Sequence, residues 1–361
     1  MPRGKQHGRS VPPAPRPQPR PEPRKTSPAD LDQVPVTYQA IDAYGIQLGE
    51  WNPFDLRQET FTRIERLTGR PLICFVSRTH NLAPGVSVSI GDDDLPGMGD
   101  LVYTTAGSAV DIFIVSNGGS AETTERIVRL LRTRFEHVRF IVPANAYSAA
   151  TLMCSAGDEI IMDPLGTLGP IDPQINGIPA RAILRAFEAI EQRLKTEGPE
   201  AIAAYLPLIE KYDLHILEIC KSFEELSAEL ARTWLSQYML KSAKDDEQVQ
   251  KIVEFFKIVE FFASYDIHKS HGRSIDRDQA RTLGLSIVNI ETIDGLSDLV
   301  RSLRNQYEYW FDRTPFVKLY ENPRGISWGR QAQEVFLQLP GHPPTGSPQP
   351  VPQPGPPGRS G

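Results

Sequence analysis

Ser148 stands where its type and its neighbours suit nucleophilic chemistry. Residues 145–157 read Asn-Ala-Tyr-Ser-Ala-Ala-Thr-Leu-Met-Cys-Ser-Ala-Gly, a turn of small residues with a hydroxyl at its apex and an apolar helix behind it. A hydroxyl at a helix N-terminus faces unpaired backbone N–H groups and the positive end of the helix dipole, both of which favour developing negative charge. Upstream, Gly118 and Gly119 follow an apolar run. Lacking a β-carbon, glycine lets the backbone come close to a ligand with its N–H groups free. A nucleophile beside a backbone cradle for an oxyanion is the equipment of acyl transfer. A serine opening a helix is equally an ordinary N-cap. What separates the two readings is the elements around it and a base within hydrogen-bond reach.

Those elements alternate. Asp55–Thr68 has helical spacing and stops at Gly69. Pro71–Ser77, Val110–Val115, Val138–Val142 and Glu159–Met162 read as strands, with helices over Glu122–Phe135 and Ala146–Ala156. Strand and helix recurring in units of about 30 residues predict an α/β fold, a mostly parallel sheet with crossover helices. Thr79–Asp100, rich in Gly, Pro and Asp, reads as a long loop. From Pro179 to about Ala263 the pattern turns helical, over Ala180–Leu194, Leu206–Ser222 and Glu224–Leu240. Lys251–Phe256 and Lys257–Phe262 repeat one hexapeptide, Lys-Ile-Val-Glu-Phe-Phe. Six extra residues turn a helical face by roughly 120°, which predicts that part of this phenylalanine-rich stretch is exposed or meets another subunit. Ser286–Ile290 reads as a last short strand, followed by a helix towards Tyr309.

The chain has 361 residues, a formal net charge of −6 and three scattered cysteines, Cys74, Cys154 and Cys220. The acidic balance and the lack of a basic stripe argue against a nucleic-acid domain. The cysteines form no Cys-x-x-Cys pair and read as buried thiols of a reducing compartment. No apolar run reaches membrane-spanning length and no signal-type segment opens the chain, so a soluble, cytoplasmic protein is expected. His268 and His271 lie three apart without further ligands in pattern, and no phosphate loop occurs, so neither metal nor cofactor is implied. Ten prolines fall in residues 1–35 and nine in 340–361, of 32 in the chain. Such segments bury too little apolar surface to offset ordering entropy. The expected organisation is a tail over 1–35, a domain over 36–310 with a helical insertion at about 180–263, and an extension with a second tail over 311–361.

In order along the chain come strand–Ser-Asn-Gly-Gly-Ser–helix, strand–Ala-Tyr-Ser-Ala-Ala–helix, Ala-Gly-Asp-Glu-Ile-Ile-Met-Asp-Pro and Leu-Gly-Pro-Ile-Asp-Pro-Gln. This series resembles the serine dehydrogenase proteinase family, related to the Clp protease proteolytic subunit and the bacterial signal peptide peptidases on the ClpP/crotonase fold. The resemblance covers roughly Pro71 to Ile290. It implies Ser148 as nucleophile and the N–H groups of Gly119 and Ala149 as the oxyanion hole. Clp-type peptidases carry a histidine about 25 residues after the serine. Here that stretch is Gly169-Pro-Ile-Asp-Pro173, and Asp172 stands near the histidine's place. The Clp aspartate would fall near His271. The resemblance therefore implies exchanged roles, His271 as base and Asp172 orienting it. The signal peptide peptidases use a lysine instead, and Lys195, Lys211 and Lys221 are the alternatives here.

The function implied is a serine peptidase acting through an acyl-enzyme on a peptide or protein substrate, without a cofactor. A homo-oligomer is expected, because the helical insertion sits where relatives join subunits. Two other readings use the same fold: a catalytically inactive binding or scaffold protein, and a crotonase-type enzyme acting on a coenzyme A thioester.

Overall fold

The computed structural model describes residues 34–42, 53–209, 214–241 and 257–332, of which those from Pro35 onward belong to the compact unit Pro35–Gly361. Strands β1 (Leu72–Ser77), β2 (Ala109–Val115), β3 (His137–Val142), β4 (Glu159–Met162) and β5 (Ile287–Asn289) run parallel. With β6 (Phe316–Glu321) and β7 (Ser327–Gln331) they form a seven-stranded sheet of order β7-β6-β1-β2-β3-β4-β5. The apolar runs read as strands are continuous because both faces of the sheet are covered. Along β1, Ile73 and Phe75 face one core while Leu72, Cys74 and Val76 face the other. On the first face pack α2 (Leu95–Thr104), α3 (Ala121–Arg134), α4 (Ala149–Ser155) and the later α7 (Leu214–Gln237). On the second lie α1 (Pro53–Thr68) and α10 (Leu296–Arg313).

Several elements differ from the sequence reading. A short 3-10 helix, Asp92–Asp94, lies inside the stretch read as loop, and α2 begins in it and runs past its end to Thr104. Leu206–Ser222 and Glu224–Leu240 are not two abutting helices: α6 covers Ile202–Ile209 and α7 runs unbroken over Leu214–Gln237. The helix from Ala180 extends to Glu197 (α5). The first hexapeptide copy lies outside the described residues. The second, in α8 (residues 257–263), is not an exposed aromatic face, because Ile258, Val259 and Phe262 are buried in the main core. Residues placed beyond a boundary at 310 belong to the sheet. β6 pairs antiparallel with β1, and β7 with β6.

The long α7 roofs the first face, and its end is tied to the sheet by charge. Asp158 accepts hydrogen bonds from the backbone N–H of Val138 (2.8 Å), from Arg132 (3.0 Å) and from Lys241 (3.0 Å). The Arg132 guanidinium also stacks 3.8 Å from the ring centre of Tyr238. Burial pushes the Asp158 pKa up, but Val138, Lys241 and Arg132 together outweigh it and hold the carboxyl below its ordinary value. A depressed folded pKa adds stability above the unfolded value, near pH 4, and loses it as pH falls through the folded one. Asp158→Asn is therefore expected to melt below wild type at pH 7, with the gap narrowing towards pH 3, as followed by circular dichroism. A gap independent of pH would show that the charge is not what matters.

Candidate functional site

The site forms where β2 and β3 end. In open α/β sheets, ligands bind outside the carboxyl ends of the strands. Two loops leave those ends side by side. The N–H of Ser116 donates to Asn145 O (2.8 Å), and the N–H of Tyr147 donates to Ser116 O (3.0 Å). This draws Gly118 against the turn that carries Ser148: a β-carbon on Gly118 would lie 2.6 Å from Ser148 Cβ and 2.9 Å from Ala149 N. Gly119 is pressed from the other side, where a β-carbon would lie 2.2 Å from Ile90 N. The Ile90 segment pairs with the glycine loop, its N–H donating to Gly118 O (2.8 Å) and its carbonyl accepting from Ser120 N (2.9 Å). Among the described residues, no hydrogen bond uses the N–H of Gly119 or Ala149.

Ser148 precedes α4 with φ 52° and ψ −122°, a left-handed conformation that a non-glycine residue adopts at a cost of roughly 1–3 kcal/mol. Its side chain caps nothing. The ordinary N-cap role is thereby excluded: an N-cap serine has β-region dihedrals and accepts from the N–H of N2 or N3. The strained turn holds the half-buried hydroxyl against a cavity of about 640 Å³, lined also by Gly118, Gly119, Ala149 and His271.

His271 reaches this wall through strand register. Leu168 and Ile275 form an antiparallel bridge, exchanging N–H···O bonds of 2.9 Å in both directions. Asp172 lies four residues after Leu168, and His271 four before Ile275, so the register sets them opposite one another. Their side chains meet: His271 Nδ1 lies 2.9 Å from Asp172 Oδ1. Two further contacts lock these segments to the serine turn. Tyr147 Oη is 2.8 Å from Ser274 Oγ, and the N–H of Gly169 donates to Thr151 Oγ1 (2.9 Å) on α4. Asp172 is 1% exposed, and its second oxygen, Oδ2, has no hydrogen-bond partner. No hydrogen bond among the described residues joins Ser148 to His271. Such contacts are commonly long in unliganded sites and tighten around a substrate.

The lysines stand elsewhere. Lys195 and Lys221 are exposed on their helices, paired with Glu191 (2.6 Å) and Glu218 (3.2 Å), and do not line the cavity. Lys211 lies outside the described residues. Among the lining residues not singled out from the sequence are Val88–Ile90 and, on the roof, Phe223, Leu226 and Ser227 of α7. A signal for Val88–Ile90 is present, since Val86-Ser-Val-Ser-Ile90 alternates as a strand does.

A β-carbon forced onto Ile90 has no flexible side chain to displace. Gly119→Ala is therefore expected to cost about 3 kcal/mol or more, lowering the melting temperature by roughly 5–10 °C, as read by differential scanning fluorimetry. An unchanged melting temperature would mean that the Ile90 segment yields freely.

Fold and site thus define an α/β protein with a mostly parallel sheet and a serine turn at its carboxyl edge. Residues 98–199, from α2 through α5, match the family described as ClpP-like SDH-type serine proteinase. That is the family the motifs resembled. Two uncharacterized proteins of Methanocaldococcus jannaschii are similar to this chain. One is 27% identical over 199 residues, covering 52% of this chain and 68% of the relative. The other is 39% identical over 79 residues, covering 22% of this chain and 28% of the relative. Among solved structures, a mutant of a membrane-bound stomatin-specific protease has a TM-score of 0.33 at 17% identity, covering 55% of this chain and 74% of its own. A ClpP1 mutant from Listeria monocytogenes has a TM-score of 0.33 at 14% identity, covering 62% and 94%. No helix among the described residues is long and apolar enough to cross a membrane.

Proposed function

We propose that this protein is a serine peptidase working through Ser148, with His271 as general base and Asp172 as its orienting carboxylate. The observation that carries the reading is the Asp172–His271 hydrogen bond, made on the wall of the cavity that Ser148 also lines. With its proton on Nδ1, donated to Asp172, the imidazole presents a bare Nε2. That nitrogen takes the serine proton as Oγ bonds to the substrate's acyl carbon. The carbonyl π pair moves onto oxygen, where the N–H groups of Gly119 and Ala149 receive it. Collapse of the adduct expels the amine, which takes the proton from Nε2. A water molecule then releases the acyl group by the same route.

The exposed, carboxylate-paired Lys195 and Lys221 argue against a lysine base, since an ammonium must be buried to titrate near neutrality. A fluorophosphonate probe tests the reading, because it labels only an activated serine. Wild type is expected to be labelled and Ser148→Ala to remain unlabelled. A folded wild-type protein that resists the probe would support the inactive scaffold. Turnover of a thioester retained in Ser148→Ala would support the crotonase-type chemistry.

A further inference from the structure

His268 is a buried imidazole for which the proposed reaction has no use. It is 3% exposed and lies edge-on to Phe261, with ring centres 4.7 Å apart. Its Nε2 is 2.6 Å from the carbonyl oxygen of Phe261. A carbonyl only accepts, so Nε2 carries the proton and Nδ1 is left bare. That nitrogen is buried without a partner. His268 therefore has no N–H to offer the Asp172 carboxylate, and a proton relay between them is ruled out by tautomer. Burial lowers its pKa and favours the neutral ring.

What it holds instead is backbone. The next carbonyl along α8, that of Phe262, accepts the N–H of Ile171 at 2.8 Å, and Ile171 immediately precedes Asp172. On the other side His268 closes the short helix α9 (Tyr265–His268), after which Lys269 turns left-handed (φ 58°) into the segment carrying His271. The Phe261–Phe262 end of α8 is thus gripped by the ring that introduces His271 and by the backbone that introduces Asp172.

We infer that His268 is a positioning residue: through the Phe261 carbonyl it fixes the spacing between Asp172 and His271. The inference concerns the geometry of that pair and rests on the peptidase reading only for its effect on rate. Two variants separate it from general destabilisation. His268→Gln keeps an N–H that reaches the Phe261 carbonyl from about the place of Nε2. His268→Leu fills the volume without a donor. The first measurement is the tautomer of His271, read from long-range proton–nitrogen correlations in protein labelled on histidine and assigned with His271→Gln. Wild type and His268→Gln are expected to hold His271 in the Nδ1–H form. His268→Leu is expected to release it to the Nε2–H form that imidazole prefers in water.

The second measurement is the fluorophosphonate labelling rate. It should fall about 10–100-fold in His268→Leu, the scale of a misplacement near 1 Å, and recover in His268→Gln. If His271 keeps its Nδ1–H tautomer in His268→Leu, or loses it equally in His268→Gln, the inference is overturned. If the tautomers behave as expected while wild type takes no label, the inference stands and the peptidase reading falls.

Discussion

Ser148→Ala is expected to slow peptide hydrolysis by roughly 10⁴–10⁶-fold, the cost of removing a nucleophile that acts as one unit with its base. The fold should be untouched. The hydroxyl makes no hydrogen bond among the described residues and caps no helix, so its loss leaves no buried partner stranded. The strain also stays, because alanine has the same left-handed penalty at φ 52° as serine. This gives the experiment a second arm. Ser148→Gly removes that penalty, worth about 1–3 kcal/mol, and adds back roughly 0.5–1 kcal/mol of backbone entropy. It should therefore unfold at or above the temperature of Ser148→Ala while being equally inactive. A Ser148→Ala protein that still hydrolyses peptide at more than about a hundredth of the wild-type rate would place the nucleophile elsewhere. If Ser148→Gly were clearly the less stable variant, the serine turn would not be under strain, and its geometry would need a different cause.

The parts of this site that could be read from the chain are those whose physics is local. A glycine pair after an apolar strand, and a serine in a run of small residues, stand out within a few positions. Both loops lie where the strand–helix alternation puts them. The parts missed depend on partners far along the chain. Phe316–Glu321 looks half polar because Lys318 and Glu321 are in it, yet both are buried: Lys318 against Asp94 at 2.8 Å, Glu321 against Arg57 at 2.7 Å. No local pattern shows that a charge has a buried partner more than 200 residues away. Leu95-Pro-Gly-Met-Gly reads as loop by its helix breakers. It is helical because Pro96 falls in the first turn, where its missing N–H costs nothing. A β-carbon on Gly97 would lie 3.2 Å from Tyr320 and 3.3 Å from Trp328, a tighter approach than an ordinary packing contact. Asp172 and His271 were paired by family resemblance. The structural reason, the register of the Leu168–Ile275 bridge, is a tertiary contact with no signature in either segment alone.

Asp172→Asn is expected to lower kcat by about 10³–10⁴-fold at neutral pH with KM little changed, because a carboxyl buried against His271 is out of a substrate's reach. The substitution keeps the volume of a side chain that is 1% exposed, so the effect isolates charge and proton placement. Two amide orientations compete. If the amide oxygen faces His271, it still accepts from Nδ1–H, but the imidazolium formed during catalysis has lost its counter-charge. The NH₂ then occupies the place of Oδ2, which has no hydrogen-bond partner, and an unpaired buried donor costs about 1–3 kcal/mol. If the amide flips, NH₂ donates to Nδ1, the ring proton moves to Nε2, and His271 can no longer take a proton from Ser148. Histidine-labelled protein distinguishes the two, since the first keeps His271 as the Nδ1–H tautomer and the second does not. The cost of the unpaired donor favours the second orientation, so the expected result is a variant with the opposite tautomer and the lower end of the residual rates. If Asp172→Asn retained kcat within tenfold of wild type, Asp172 would be reduced to a turn residue before Pro173, and His271 would need another orienting partner.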